Sequence, residues 1–559
     1  MLPSDRAIVA FSPARAVALP AAAGPACSAP ALPDGPCPVC PRLAAEFEPY
    51  RQAGYWKSMH ERAVAREADL RAENDALRAQ LRMREQQLFG KKSEAGGVPG
   101  GPATPAAPTP KKPRGQQPGK PGPRRRDHSR LPAAEEIIDL PDGERHCPGC
   151  GSPFLPFPGT EDGEILEVEV KAHRRVYRRK RYRPACACGC NPGIVTAPPP
   201  DKLIPKSTLG VSIWAEVLLD KYLFYRPTCR LLEDWKTHGL DLPLGTLTDG
   251  LRRLPPLFEP IHQALIERNQ KQARWHADET RWMAFATVEG KVGHRWTLWA
   301  FHPEEAVVFV LDQGRAHDVP EDHLGPVEEG ILSVDRYSAY KAMAQVKDGK
   351  ILLAFCWAHV RRDFLGAARS WPKGEKWALE RVGRIGQLYE HNEARLEVRD
   401  DPEAFALEDA RLREHLGRMA ERAEEEMSGP DVHPARRGPL ASLQEHWGGL
   451  TVFVEHPEVP MDNNTAERVL RGPVVLRKNS YGSGAAWAGE LAAMLFSVFQ
   501  TLCLWDINPR AWLTSYLQAC AKAGGKVPAA LDEFLPWEMP PQKRKGWALD
   551  GKAEGEDSS

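Results

Sequence analysis

The sequence lacks the features that mark secreted and membrane proteins. It contains no run of about eighteen apolar residues, so we expect no membrane-spanning helix. It also lacks an early basic run followed by an apolar stretch, so we expect no targeting peptide. Its 75 basic and 75 acidic residues cancel, and a net charge of zero neither indicates nor excludes a nucleic acid partner. We therefore predict a cytoplasmic protein in which any DNA contact depends on local basic segments.

The chain is long enough for several domains, since single cores stop growing near roughly 250–300 residues and this one has 559. Residues 1–45 are rich in Pro and Ala and are predicted to be disordered. Residues 46–92 are rich in helix formers, and Asn74 occupies an a position of a short heptad seam. This pattern predicts a helix that pairs as a coiled coil or, alternatively, docks on its own chain. Residues 93–130 form a basic Pro/Gly linker.

Residues 131–205 contain clustered cysteines. Without a targeting peptide, such clusters indicate bound metal more often than disulfides. The first pair has CxxC spacing with a glycine turn, whereas no two cysteines of the second group have that spacing. Four sulfurs suit tetrahedral Zn²⁺, so we predict a zinc-ribbon-like domain, with free cysteines as the alternative. The predicted ligands are Cys147, Cys150, Cys186 and Cys188, with Cys190 as an alternative ligand.

A basic segment lies between the two cysteine groups. Eight Lys and Arg residues occur between Lys171 and Arg183, interleaved with tyrosines. This density of charge predicts contacts with DNA phosphates, although a solvated strand face is the alternative. The predicted DNA-binding residues here are Arg174, Arg175, Arg178, Arg179, Lys180 and Arg181. Residues 206–270 read as helices, which form either a helix-turn-helix DNA-binding region or an ordinary helical packing.

Residues 271–370 have a strand-like pattern that indicates an α/β core. Five strands are predicted, at 275–288, 294–301, 306–311, 330–334 and 351–355, with helical segments after each of the last three. The resulting order βββαβαβα is that of a ribonuclease-H-like core, in which the first and fourth strands are neighbours. Asp278 lies in the first strand and Asp335 ends the fourth, so their carboxylates are expected to meet and to bind a divalent cation. Glu279 is expected to point to the opposite face and is left out of the site.

A third acid is expected from a later helix. Asp462 or Asn463 is a plausible N-cap for that helix, which places Glu467 in an early turn. Further along it, positive charge for a DNA backbone is predicted at Arg471, Arg477 and Lys478. Residues 371–450 read as a helical insertion that interrupts the core, residues 451–525 as its completion with C-terminal helices, and residues 526–559 as a tail. The fold class predicted is therefore multidomain α+β.

Several motifs resemble those of the insertion-sequence-66 transposases. They are HADET, VDRYSAY, CWAHVRRDF and MDNNTAERVLR…RKNSYGSG in the core, and QQLFGKKSE and CPGCG before it, in colinear order over roughly residues 60–520. The resemblance implies a DDE-type transposase with a zinc-binding domain and a ribonuclease-H-like core. It carries the catalytic acids onto Asp278, Asp335 and Glu467, which would hold Mg²⁺ or Mn²⁺. The family commonly has Asp-Gly-Tyr where this chain has Asp335-Arg336-Tyr337, so Arg336 is expected to slow catalysis or to add a phosphate contact.

The resemblance also implies the partners. These are the DNA ends of a bacterial insertion sequence and its target DNA, with a homodimer or larger assembly on DNA, other element-encoded proteins as further candidates, and a nucleoid-associated place in the cytoplasm. Three alternatives stay open at this point. They are a ribonuclease-H-like nuclease that cuts without joining, a catalytically silent DNA-binding derivative, and a zinc-ribbon transcription regulator.

Overall fold

The computed structural model describes residues 39–89, 149–150, 172–182, 194–287, 294–429 and 432–549. It divides the chain into an N-terminal unit, Met1–Arg78, and a second unit, Ala79–Ser559. Helix α1 (Val39–Phe89) begins before Glu46, where the composition had predicted its start. Leu70 and Leu77 of the heptad seam are 52% and 57% exposed. The predicted helix is therefore observed, while its pairing with a second copy stays a prediction.

The region of the predicted zinc domain is described only in part. Strand β1 (Arg181–Tyr182) pairs antiparallel with β2 (Val195–Thr196). Of the five cysteines assigned to zinc, Cys150 is described and its side chain is exposed. The others lie outside the described residues, as does the linker at 93–130. The zinc ligands therefore stay predictions.

Four helices lie between β2 and the strands of the main sheet. They are α2 (Val211–Tyr222), α3 (Thr228–Thr237), α4 (Leu244–Leu251) and α5 (Pro255–Gln270). Within the segment predicted to be helical, the sequence pattern indicates one helix over residues 245–265, and this prediction is wrong because the helix divides between Leu251 and Pro255. Pro255 and Pro256 have no N–H to donate to a preceding turn, which favours the start of a new helix at that point.

A mixed five-stranded sheet follows. It contains β3 (Arg274–Met283), β4 (Arg295–His302), β5 (Val308–Asp312), β6 (Gly330–Val334) and β7 (Ile351–Phe355). The spatial order is β5-β4-β3-β6-β7, antiparallel among the first three and parallel from β3 through β6 to β7. The intervening helices are α6 (Asp318–His323), α7 (Ser338–Ala342), α8 (Ala344–Lys347) and, after β7, α9 (Trp357–Ser370). The predicted succession of strands and helices is thus observed, with β6 and β7 at the predicted residues.

After α9, the described residues of the second unit form further helices. The helices are α10 (Glu375–Glu397), α11 (Pro402–Met427), α12 (Pro434–Glu445), α13 (Trp447–Leu450), α14 (Val452–Glu455), α15 (Asn464–Ser480), α16 (Ala486–Leu504), α17 (Pro509–Lys522) and α18 (Pro541–Gly546). Helices α10 to α14 separate α9 from α15 in the chain. This position and composition match the helical segment expected at 371–450.

The sheet separates two apolar cores. Alternation along β4 sends Leu298 and Ala300 into one core, with α2, α5, α16 and α17, and sends Trp299 and Phe301 into the other, with α9 to α12. Because helices cover both faces, β4 is buried at six consecutive positions rather than at alternate ones. Polar side chains can therefore lie at the end of the sheet where β6 stops, since helices cover both of its faces.

Helix α16 and the C-terminal segment belong to the first core. By length and composition α16 could cross a membrane, and among the described residues no other helix could, but most of it is buried inside the protein. It is therefore the central helix of this core. Phe534 and Met539 are buried in the same cluster, so residues 526–549 of the segment predicted as a tail pack on the core.

Candidate active site

Strands β3 and β6 bring two aspartates together. In their parallel register His276 lies opposite Ser333, and two residues further along each chain stand Asp278 and Asp335. Oxygen atoms of Asp278, Glu279 and Asp335 all lie within 4.8 Å of one another. The two aspartates predicted to meet are therefore brought together.

Glu279 also belongs to this cluster, and the expectation that alternation would remove it was wrong. It shares the face of Trp275 and Ala277, and the Tyr340 hydroxyl donates a hydrogen bond to its Oε2 at 2.8 Å. Its Oε1 accepts one from Arg315 Nη2 at 2.5 Å. Alternation decides the face of a strand but not how far a long side chain reaches where the neighbouring strand has ended. Apart from its acidic character beside Asp278, no signal in the sequence indicated this.

The electrostatics of the cluster are those of a site with too little positive charge. Burial raises the pKa of Asp278 to about 8, and the carboxylates of Glu279, Asp335 and Glu467 add to the effect. The N–H of Glu279 donates to Asp278 Oδ1 at 2.9 Å, which opposes the rise only in part. Burial also raises the pKa of Glu279, although Arg315 opposes it. Converging carboxylate oxygens are the ligands that Mg²⁺ and Mn²⁺ prefer, so the donor set fits a divalent cation.

Asn463 attaches the start of α15 to β3. Its Nδ2 donates to the Ala277 carbonyl at 2.7 Å, and its Oδ1 lies 3.0 Å from His276 Nδ1. Asn463 is 1% exposed and stands at the N-cap position, but its side chain makes no capping hydrogen bond. The carboxylate of Asp462 instead accepts from the Asn464 N–H at 3.0 Å. Asn463 therefore fixes α15 next to Asp278, a role that the prediction of a cap missed.

Glu467 lies in the first turn of α15, as expected, but its carboxylate has its own partners. Arg362 Nη2 lies 2.7 Å from Glu467 Oε1, and His359 Nε2 lies 3.7 Å from the same atom. Glu467 is near enough to raise the pKa of Asp278 but is not part of the 4.8 Å cluster. His359 and Arg362, on α9, are thus site residues to which the sequence had assigned no role there.

Arg336 is engaged by side chains of two helices. Its Nη2 lies 2.6 Å from Asp363 Oδ2 on α9, and its Nη1 donates to the Ser442 hydroxyl on α12 at 2.7 Å. Its side chain is 13% exposed. Arg336 therefore joins the loop after β6 to α9 and α12. A contact with a DNA phosphate would need a free guanidinium, and that of Arg336 is engaged.

The residues predicted to contact DNA differ in their availability. Arg477 donates to the Thr280 hydroxyl at 3.0 Å and to the Arg281 carbonyl, so it is engaged with β3. Arg179 Nε donates to the Ala197 carbonyl at 2.6 Å. The other predicted residues have exposed side chains: Arg174, Arg175, Arg178, Lys180, Arg181, Arg471 and Lys478.

Comparisons with known proteins give a family match. Residues 206–491, just over half of the chain, match the family described as Transposase IS66 family. The chain is also similar to three proteins of Sinorhizobium fredii (strain NBRC 101917 / NGR234) that are described as uncharacterised. The protein y4jD is 28% identical over 422 residues, which cover 73% of this chain and 80% of y4jD. For y4hP the identity is 28% over 418 residues, or 70% and 73% of the two chains, and for y4qI it is 26% over 445 residues, or 75% and 78%.

Proposed function

Because the chain belongs to the IS66 transposase family, we propose that it is the DNA transposase of a bacterial insertion sequence. It binds the element ends and catalyses strand cleavage and strand transfer at Asp278, Asp335 and Glu467. The observation that carries this proposal is the convergence of Asp278 and Asp335 where β6 ends, next to the helix that bears Glu467.

We also propose that the sheet and its helices form a ribonuclease-H-like core. Three antiparallel strands continued by two parallel ones, in the order β5-β4-β3-β6-β7, support this assignment. In this arrangement the first and fourth strands of the sheet are neighbours, which is the reason that two acids distant in sequence can act together. Helices α10 to α14 would then be the insertion that separates Glu467 from the two aspartates.

Asp278 and Asp335, with Glu467, would hold Mg²⁺ or Mn²⁺. Such ions, when bound, stabilise the attacking and leaving oxygens of an in-line displacement at phosphorus. A cation would stabilise the ionised forms of Asp278 and Glu279, which partial burial and the neighbouring carboxylates disfavour. Asn463 orients α15 by its bonds to β3, so that Glu467 faces the aspartates' side of the sheet. No covalent protein intermediate is needed, since water and then a DNA 3′-hydroxyl act as nucleophiles.

DNA binding, which the family implies, is proposed to involve the exposed basic residues between Arg174 and Arg181, with Arg471 and Lys478 nearer the acids. Their exposure supports this role, because neutralising phosphates requires accessible charge. Zn²⁺ is proposed to be held by the cysteines at 147, 150, 186 and 188, with 190 as the alternative ligand. Metal analysis of the purified full chain tests the zinc assignment.

The decisive experiment incubates the full chain with duplexes that carry its own element ends, with Mg²⁺ and with EDTA. Asp278→Asn is expected to abolish strand cleavage while it leaves binding of the ends intact. Retained cleavage by this variant would remove Asp278 from the site. Cleavage without joining of 3′ ends to target DNA would identify a nuclease instead, and absence of any metal-dependent cleavage by the natural chain would identify a silent DNA-binding derivative.

A further inference from the structure

Glu467 is the one proposed catalytic acid with a basic partner within hydrogen-bonding distance among the described residues. Its Oε1 accepts a hydrogen bond from Arg362 Nη2 at 2.7 Å. The oxygens of Asp278, Glu279 and Asp335 converge without it. One oxygen of the carboxylate proposed to hold a cation is therefore occupied by a guanidinium.

The two helices that carry this ion pair are bonded to each other near their N-terminal ends. The N–H of Trp357, at the start of α9, donates to the Met461 carbonyl at 2.9 Å. The N–H of Asn463, just before α15, donates to Cys356 Sγ at 3.2 Å, and both Cys356 and Asn463 are buried. These two bonds join the N-terminal ends of α9 and α15. The backbones thus bring Arg362 and Glu467 together, rather than two mobile side chains meeting by chance.

The surroundings of the pair favour its exchange for a cation. The side chains of Arg362 and Glu467 are 36% and 29% exposed, so solvent, ions and DNA can reach them. His359 Nε2 lies 3.7 Å from the same Glu467 oxygen, whereas Arg362 Nη2 lies 2.7 Å from it. Arg362 is thus the principal positive charge that a cation at Glu467 would have to displace.

We propose that Arg362 is a positioning residue that competes with the divalent cation for Glu467. In the metal-free chain the guanidinium holds Glu467 at α9. When a cation takes the carboxylate, Arg362 loses its partner and becomes available to a phosphate of the bound DNA. Cation binding therefore precedes the contact between Arg362 and DNA. This inference rests on the proposed function, in which Glu467 is a metal ligand.

The first test measures Mn²⁺ binding to the full chain without DNA by titration calorimetry. Arg362→Gln is expected to tighten binding by about fivefold, the upper end for a partly exposed ion pair. Arg362→Lys keeps the charge and should bind Mn²⁺ as the natural chain does. Arg468→Gln is the matched control, because Arg468 neighbours Glu467 in sequence but donates to the Thr465 hydroxyl at 3.2 Å. It removes the same charge and should change the affinity less.

A double-mutant cycle identifies the partner. In a Glu467→Gln background, Arg362→Gln should no longer change Mn²⁺ affinity, since the competition has been removed. A second measurement uses duplexes of the element end. Arg362→Gln should weaken DNA binding in Ca²⁺ but leave it unchanged in EDTA, where the guanidinium of the natural chain is still held by Glu467.

The outcomes separate this inference from the proposed function. Unchanged or weaker Mn²⁺ binding by Arg362→Gln would overturn the competition, and an equal loss of DNA binding in EDTA would overturn the release. If the natural chain binds Mn²⁺ and Asp278→Asn does not, while Arg362→Gln behaves as the natural chain, only this inference fails. If the natural chain binds no Mn²⁺ that depends on Asp278, the proposed metal site fails and this inference fails with it.

Discussion

Neutralising Asp278 is expected to stabilise the metal-free protein, although it removes a proposed catalytic group. The carboxyl of Asp278 is half-buried beside Glu279 and Asp335, and this partial burial is the largest cause of a pKa of about 8. Asp278→Asn removes the charge and keeps the shape. The amide oxygen can still accept the hydrogen bond that the Glu279 N–H makes at 2.9 Å, so the change tests charge alone.

The magnitude follows from the pKa. The folded pKa of about 8 lies above the ordinary value of 3.8, so the folded state binds the proton more tightly than the unfolded state. The stability contributed by Asp278 is therefore complete below pH 3.8 and is lost as the pH rises toward 8. At about 1.4 kcal/mol for each pH unit, the loss at pH 7 is at most about 4 kcal/mol. Asp278→Asn should therefore raise the free energy of unfolding at pH 7 by about 1–4 kcal/mol.

The assay is urea unfolding in EDTA at pH 7 and pH 5, followed by tryptophan fluorescence. Trp275 and Trp282 are buried on β3 itself and contribute to this signal together with the other tryptophans of the chain. The gain should be largest at pH 7 and smaller at pH 5. Added Mn²⁺ should stabilise the natural chain and not the variant, which reverses their order.

Asp363→Asn is the matched control. Asp363 Oδ2 lies 2.6 Å from Arg336, so its charge is paired, and its neutralisation should destabilise the protein or leave it unchanged. If Asp278→Asn proves less stable than the natural chain in EDTA at pH 7, or if its gain does not depend on pH, the reasoning from repelling carboxylates is refuted.

Two further predictions concern residues outside the acidic cluster. Arg336→Gly introduces the residue common in the family but removes the bonds to Asp363 and Ser442. It should therefore lower the free energy of unfolding by about 1–3 kcal/mol. A loss below about 0.5 kcal/mol in urea unfolding would contradict the tethering role. Burial lowers the pKa of His323 from 6.5 to about 3, so its contribution to stability is complete above pH 6.5 and is lost as the pH falls toward 3. His323→Gln can retain the bond to Asn269 Oδ1, and its unfolding free energy should fall less steeply than that of the natural chain between pH 6 and pH 4; equal slopes would show that His323 does not carry the effect.

Local patterns in the sequence determined the elements of the core. The order of these elements then predicted that the two aspartates meet. The periods of strands and helices are properties of neighbouring residues, and they predicted β6 and β7 at the residues where the structure has them. Asp278 lies in β3 and Asp335 follows β6. The expectation that they meet required only the rule that these two strands are neighbours in a core with this strand order. The early turn that holds Glu467 was likewise predicted from local signals at the helix start.

Only the tertiary structure decided which side chains surround these acids. Glu279 joins the cluster because of its reach past the end of β6, and Asn463 bonds β3 instead of capping its helix. Arg362 pairs with Glu467, a contact that the sequence did not indicate. Each contact joins elements whose distance in space is set by how they pack around the sheet. The periodicity of the sequence does not indicate that distance. The sequence alone therefore determined where the proposed catalytic acids stand on their strands and helix, and the packing of α9 and α15 decided what each acid contacts.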